Sequence, residues 1–495
     1  MQKRAIIIGR LHEQGVLDKA LKSTKAEFLA VYGRRRVGKT YLIRSFYKSK
    51  PCLLFNSNGI KKAPMKRQLV EFTKEISRVF YSGAALQDVS SWFDAFEQLL
   101  KAMEQKEFQS KKIVLFFDEF PWMATPRSKL LEALDFYWNR HFSINSKIKL
   151  IICGSSASWI IKNIINNKEG LHNRLTDTLQ LEPLNLCETK AFLKYNGVKL
   201  NNNHITEIYM ATGGIPYYLS HVNAGLSSAQ VIQELAFTKN SFFLKEFDNL
   251  YSSLFDNAEV YITLVRAIAA KKSGISQEEL FQIISANISK GGTIVDKLKD
   301  LENAGFIISF TPYNHQKKGI FYRVIDEYTL FYFSWIEPIK TTLQLKGLRT
   351  GYWQKIQQSP VWHNWAGYAF EAICYKHLNQ ISEALKLSPA SIPSSWRNNP
   401  KKNSEEEGAQ IDLLFERDDN AITVCEIKYT EKPFSIDKTY AAILNRKISV
   451  FKRVTRINKH CFLAIISANG LKNTMYSTEM IDSVTTLDDL FKEVE

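Results

Sequence analysis

The stretch Val31-Tyr32-Gly33-Arg34-Arg35-Arg36-Val37-Gly38-Lys39-Thr40 constrains the fold more than any other in this chain. An apolar run, Phe28-Leu29-Ala30-Val31, leads into G-x-x-x-x-G-K-T, and an amphipathic run, Tyr41 to Phe46, follows. Strand, glycine loop and helix in that order turn successive backbone N–H groups and a helix N-terminus on one anion. Gly33 and Gly38 allow the backbone to curl, Lys39 is placed for outer phosphates, and the Thr40 hydroxyl for Mg²⁺. The expected ligand is ATP or GTP. A strand feeding such a loop belongs to a parallel sheet covered on both faces, with ligands gathered at the carboxyl ends of its strands.

The rest of the site has to come from later strands. The pattern predicts strands over Ala5–Arg10, Pro51–Asn56, Ile113–Glu119 and Lys147–Ser155, with helices over Leu11–Lys22, Pro64–Phe80 and Trp92–Met103 between them. Ile113-Val114-Leu115-Phe116-Phe117 closes on Asp118-Glu119. Asp118 is expected in the Mg²⁺ shell, and Glu119 is expected to orient or deprotonate the attacking water, which favours hydrolysis over binding alone. Ser155 stands either as a γ-phosphate sensor or as part of an ordinary strand-to-helix turn. Arg174 stands either as an arginine finger, in cis or in trans, or as a solvated arginine.

These residues resemble the AAA+-like archaeal and bacterial ATPases close to the STAND class. The similar features are Gly9-Arg10, Gly33–Thr40, Phe117-Asp118-Glu119-Phe120, Cys153-Gly154-Ser155-Ser156 and Thr212-Gly213-Gly214-Ile215-Pro216-Tyr217-Tyr218. The resemblance implies ATP as the nucleotide, and a helical lid containing the Gly-Gly-Ile-Pro stretch.

Beyond the lid the periodicity changes. Helices are expected over Val260–Ala270, Ser276–Ile284 and Thr293–Asn303, then a hairpin of Phe306–Phe310 and Ile320–Val324 turning through Asn314–Gly319. Three helices and a hairpin predict a winged helix-turn-helix. Its third helix offers Lys290, Lys297 and Lys299 to DNA and its wing Lys317 and Lys318, while Asp296, Asp300 and Glu302 dilute that charge. Contact with DNA and contact with protein both stay open.

The last segment carries a second constellation. Val361–Leu378 reads as a helix bearing Glu371, and Ser388–Glu407 as a polar loop. Two strands follow, Ile411–Phe415 with Asp412 and Ile422–Lys428 with Glu426 and Lys428, separated by a short turn. Strand alternation puts Glu426 and Lys428 on one face, and pairing brings Asp412 beside Glu426. Two carboxylates at one point suit Mg²⁺ or Mn²⁺, which activates a water, while a protonated Lys428 stabilises charge. Between Thr439 and Lys459 the sequence has Arg446, Lys447, Lys452, Arg453 and Arg456 and no acidic residue, a pattern fit to track phosphates.

This segment looks like a PD-(D/E)xK nuclease core, with Glu371 matching the helix Glu, Asp412 the Asp and Glu426-x-Lys428 the E-x-K. Ile411 replaces the usual Pro. The whole order resembles a group of bacterial and archaeal ATPases whose C-terminal module was long a domain of unknown function.

The expected architecture is multidomain α/β. It comprises a P-loop NTPase core at 1–185, a helical lid at 186–250, a winged helix at 251–330, a linker at 331–355 and a nuclease-like domain at 356–495. With 66 Lys and Arg against 50 Asp and Glu, the net charge of +16 fits a polyanionic partner, nucleic acid or an anionic membrane surface, and by itself fits a plain basic, solvated surface about as well. DNA is the expected partner, with a homo-oligomer or a protein partner possible. Six scattered cysteines without a CxxC pair point to a reducing compartment rather than a disulfide scaffold. No apolar run approaches the ~20 residues that span a bilayer, and no membrane partner is expected. The residues before Gly9 do not read as a signal peptide, so the expected location is cytoplasmic. Two functions stay open: an ATPase with a nucleotide-gated, metal-dependent nuclease, or a regulatory ATPase whose tail binds DNA or protein without cutting.

Overall fold

Phe28, Leu29, Ala30 and Val31 are wholly buried, as a strand covered on both faces requires. They form β1 (Glu27–Tyr32) in the computed structural model of the chain, which describes residues 6–167, 171–284, 293–313, 319–398 and 408–494. The chain divides into two units, Met1–Pro183 and Leu184–Glu495.

In the first unit β1 joins β2 (Cys52–Asn58), β3 (Lys112–Asp118), β4 (Ile148–Gly154) and β5 (Asp177–Gln180). All pairings are parallel, in the order β2-β3-β4-β1-β5. Helices Met65–Phe80 and Trp92–Met103 cover the sheet through an aromatic core in which Phe72 meets Phe55, Trp92, Phe96 and Phe117 edge-on. Ser91 and Asp94 close a capping box at the start of the second of these helices.

Two details depart from the sequence reading. Residues 6–10, expected as a strand, are irregular, because Gly9 and Arg10 take φ of 64° and 59° and break any extended run. Strand β5 was not foreseen: it is a short edge strand with only Leu179 buried, so it leaves no apolar signature.

The second unit begins with helices Leu186–Tyr195 and Asn202–Thr212 and contains two sheets. Helices Ala258–Ala269, Gln277–Ile284 and Thr293–Asn303 accompany β6 (Ile275–Ser276), β7 (Ile307–Phe310) and β8 (Phe321–Val324), antiparallel in the order β6-β8-β7. Ser276 caps the second helix, its Oγ accepting from the Glu279 amide at 3.1 Å. Lys299 is exposed and Lys297 lies over the Tyr261 ring, while Lys290, Lys317 and Lys318 fall outside the described residues.

The five remaining strands are β9 (Ile392–Asn398), β10 (Ala409–Glu416), β11 (Ala421–Lys428), β12 (His460–Ser467) and β13 (Ser483–Thr486). They run β13-β12-β11-β10-β9, antiparallel from β9 to β11 and parallel from β11 to β13. Strand β9 lies inside the stretch expected to be a loop.

The expected linker at 331–355 is also corrected. Phe331, Tyr332, Ile336, Leu343 and Trp353 are buried, and Tyr332 stacks on Phe247 with centroids 3.7 Å apart. Aromatic side chains of this size are retained in a core rather than left in solvent.

His377 is buried in this unit and links its stability to pH. Its Nε2 accepts from the Leu186 amide at 3.0 Å, which leaves Nδ1 to donate to Ile373 O at 2.7 Å. The bond from Leu186 needs the neutral ring, and burial pushes the pKa down from 6.5 to about 4, against the Ile373 bond. A histidine depressed in the folded state is stabilising when neutral, and that contribution is lost as pH falls from 6.5 through 4. The expected loss is about 3 kcal/mol by pH 4. Denaturant unfolding across that range should show a shallower pH slope for His377→Gln than for the wild type.

Candidate functional site

The loop after β1 has the backbone that its glycines allow. Gly33 sits at φ 141° and a Cβ there would lie 2.3 Å from the Leu181 carbonyl oxygen, so no other residue fits. Gly38, at φ 96°, opens the helix Lys39–Lys48. Arg10 braces the loop from outside, its Nη2 donating to Glu182 O at 2.6 Å and Val37 O at 3.3 Å. In the sequence the pair Gly9-Arg10 stood out only through the family resemblance.

Lys39 is buried, and its Nζ donates to Gly33 O at 2.8 Å and Arg34 O at 2.9 Å. Burial lowers its pKa, opposed by Cys153, Glu119 and Asp118. The Thr40 hydroxyl donates to Asp118 Oδ2 at 2.8 Å. Asp118 is itself raised by burial, with the Thr40 bond opposing. A buried ammonium held by two carbonyl oxygens, beside a hydroxyl–carboxylate pair, fits a polyphosphate with its divalent cation.

Strand order sets the rest. Because β4 lies between β1 and β3, Ser155 just past its end stands by the acidic end of β3. Ser155 Oγ donates to both Glu119 carboxylate oxygens, at 2.9 and 2.8 Å, and its amide donates to one at 3.1 Å. Ser155, for which the sequence leaves a phosphate sensor and an ordinary turn both open, is hydrogen-bonded to Glu119. Arg174 is partly exposed and pairs with Asp135 at 3.9 Å, so the structure does not join it to the Lys39–Asp118 cluster.

In the second unit a cavity of about 800 Å³ collects Glu371, Asp412, Glu426 and Lys428. Glu371 comes from the helix Pro360–Lys376, Asp412 from β10 and the other two from β11. Asp412 lies one step beyond the registered pair Leu413–Cys425, opposite Glu426. The β9–β10 register slips between Ile411 and Leu414, and such a bulge re-aims a side chain at a site.

Glu426 is the best-compensated member. Lys428 Nζ lies 2.8 Å from its Oε1 and Lys447 Nζ 2.7 Å from its Oε2, and the Tyr440 hydroxyl donates to Oε1 at 2.6 Å. Burial works to raise its pKa, yet the charges of Lys428 and Lys447 bring it below its ordinary value. Lys428 is raised in turn by Glu426, against burial, and stays protonated.

Glu371 and Asp412 have weaker support. Burial, with Asp412 close by, pushes Glu371 up to about 8, and burial with Glu426 raises Asp412. Arg323 of β8 reaches Glu371 Oε2 at 3.8 Å. Carboxylates that drive up one another's pKa are a donor set that a divalent cation would relieve. Among the described residues, however, no three His, Cys, Asp or Glu side chains form a metal-holding group, so the expected set of Glu371, Asp412 and Glu426 is not preformed. Lys428 and Lys447 instead occupy the oxygens of Glu426.

Sequence reasoning missed Lys447, Tyr440 and Arg323 as site residues. Lys447 was read as one of a basic run facing phosphates, but it turns inward, whereas Arg446, Lys452, Arg453 and Arg456 are exposed. The signal was spacing: Tyr440 and Lys447 lie seven residues apart, two turns along one helix face.

Residues 9–222 match the family model of an ATPase domain predominantly from Archaea, and residues 332–441 match that of archaeal and bacterial proteins of unknown function. The first unit and the start of the second thus carry a P-loop domain of the ATPase type. The uncharacterized protein MJECL04 of Methanocaldococcus jannaschii is 26% identical over 445 residues, 88% of this chain and 90% of that protein. Among solved structures, the Walker-type ATPase paby2304 of Pyrococcus abyssi is 17% identical, covering 66% of this chain and 96% of its own, at a TM-score of 0.47. The ORC2 protein of Aeropyrum pernix, solved with ADPNP and ADP, is 15% identical, covering 72% of this chain and 99% of its own, at a TM-score of 0.44. Among the described residues no helix is long and apolar enough to cross a membrane.

Gly33→Ala should weaken ATP binding by more than about tenfold, since it combines a left-handed φ with a clash against backbone. Equilibrium titration with a fluorescent ATP analogue checks this, and unchanged affinity would remove Gly33 from the cradle.

Proposed function

We propose that this chain hydrolyses ATP and uses the nucleotide state to control a metal-dependent DNA nuclease in its second unit. The observation that carries the nuclease half is the meeting of Glu371, Asp412, Glu426 and Lys428 in one cavity, from a helix and two adjacent strands.

In the ATPase half, Lys39 and the loop amides bind the outer phosphates, and Thr40 with Asp118 would hold Mg²⁺. Glu119 takes a proton from water or orients it, and Ser155 fixes the carboxylate that does so. In the nuclease half, Asp412 and Glu426 would hold Mg²⁺ or Mn²⁺, with Glu371 alongside. The bound cation would supply Lewis acidity and a water of lowered pKa. Lys428, kept protonated by Glu426, neutralises charge on the phosphodiester. The exposed Arg446, Lys452, Arg453 and Arg456 hold the DNA backbone, in keeping with the net charge of +16. The three helices with β6, β7 and β8 serve as a winged helix that docks DNA or a protein partner.

The second reading, a regulatory ATPase with a spent nuclease domain, is favoured by one observation: Lys428 and Lys447 neutralise Glu426 without any metal.

Incubating purified protein with supercoiled DNA and Mg²⁺ or Mn²⁺, with and without ATP, separates the two readings. Cleavage should fall at least about 100-fold in Glu426→Ala while ATP turnover persists. Lys39→Ala should abolish turnover and any response of cleavage to ATP. ATP hydrolysis without cleavage under every condition would favour the regulatory reading.

A further inference from the structure

Beside the carboxylate cavity lies a smaller one of about 340 Å³, within the range of small-ligand pockets. Phe310 of β7, Phe321 of β8 and Trp396 of β9 line it, together with Arg323. Arg397 and Gln410 line both cavities, so the two adjoin. Gln410 also donates from Nε2 to Asp412 Oδ1 at 3.1 Å, which ties the small pocket to a carboxylate of the proposed cutting site.

Arg323 gives the pocket its polarity. It is 6% exposed, and its guanidinium lies over the rings of Phe310, at 5.8 Å, and Tyr375, at 4.8 Å. Its Nη1 is 3.8 Å from Glu371, but among the described residues its Nε has no hydrogen-bond partner. A buried N–H without an acceptor is costly and calls for a ligand atom. A flat ring with acceptor oxygens or nitrogens meets both demands, stacking on the aromatic walls and accepting from Arg323.

We infer that this pocket receives an unpaired nucleobase of a DNA strand whose phosphates lie in the adjoining carboxylate cavity. The inference rests on the nuclease reading and sharpens it. A base stacked inside a duplex cannot enter such a pocket unless it leaves the helix, so the favoured substrate is single-stranded DNA or a frayed or flapped end.

The test uses the full chain with Ca²⁺ in place of Mg²⁺ and a short oligonucleotide bearing 2-aminopurine, presented single-stranded or fully paired. Anisotropy should show the single strand bound about tenfold more tightly than the duplex, with 2-aminopurine quenched on binding. Phe310→Ala and Phe321→Ala should each erase that preference and the quenching, with duplex affinity and melting temperature unchanged, and Phe321→Trp should restore both. Equal affinity for the two DNAs in the wild type, or a preference that survives both alanine variants, overturns the inference. So does displacement of the strand by free dAMP at concentrations matching the oligonucleotide, which would assign the pocket to a mononucleotide. Failure of the nuclease reading has a different signature: no cleavage with Mg²⁺ or Mn²⁺, whatever the binding preference.

Discussion

A carboxylate taken out of water must be answered by a cation or by hydrogen-bond donors, because an uncompensated buried charge costs several kcal/mol. Both sites in this chain are built on that requirement. Asp118 is answered by the Thr40 hydroxyl and the Glu119 amide, Glu119 by Ser155, and Glu426 by two lysines and a tyrosine. Glu371 and Asp412 are answered less fully, and their raised pKa values record the shortfall. Asp118 and Glu119 stand where β3 ends, whereas Asp412 and Glu426 lie inside β10 and β11 and Glu371 on a helix.

The two sheets solve the delivery problem differently. In the parallel sheet the carboxyl ends of β1, β3 and β4 lie at one edge, and their order alone brings Lys39, Asp118, Glu119 and Ser155 together. In the mixed sheet the carboxylates lie within paired strands. There the hairpin register sets Asp412 opposite Glu426, and the irregularity between Ile411 and Leu414 adjusts its direction. The helix Lys438–Thr455 then supplies Tyr440 and Lys447 from above the strand.

Compensation by lysine also shapes the chemistry on offer. An ammonium on each oxygen of Glu426 compensates its charge without a metal, and a cation would have to compete with that pairing. Lys447 is therefore more than one basic residue among several. Its ion pair with Glu426 is what a metal would have to displace under the nuclease reading, and what the regulatory reading keeps.

The phosphate loop, the acidic end of β3, the helices Met65–Phe80 and Trp92–Met103, and the hairpin carrying Asp412, Glu426 and Lys428 can be read from the amino-acid order alone. These were legible because local chemistry dictates them: glycines where φ is positive, apolar runs where strands are covered, and charge alternation along a paired strand. The short or polar strands β5 and β9 left no such trace, and the aromatic stretch at 331–355 passed for a linker because burial depends on neighbours distant in sequence. Long-range packing is what sets Ser155 on Glu119, turns Lys447 onto Glu426, and brings Arg323 of one sheet to Glu371 beside another. Those contacts join residues tens of positions apart or more, or depend on which helix face packs inward, and no local propensity encodes either.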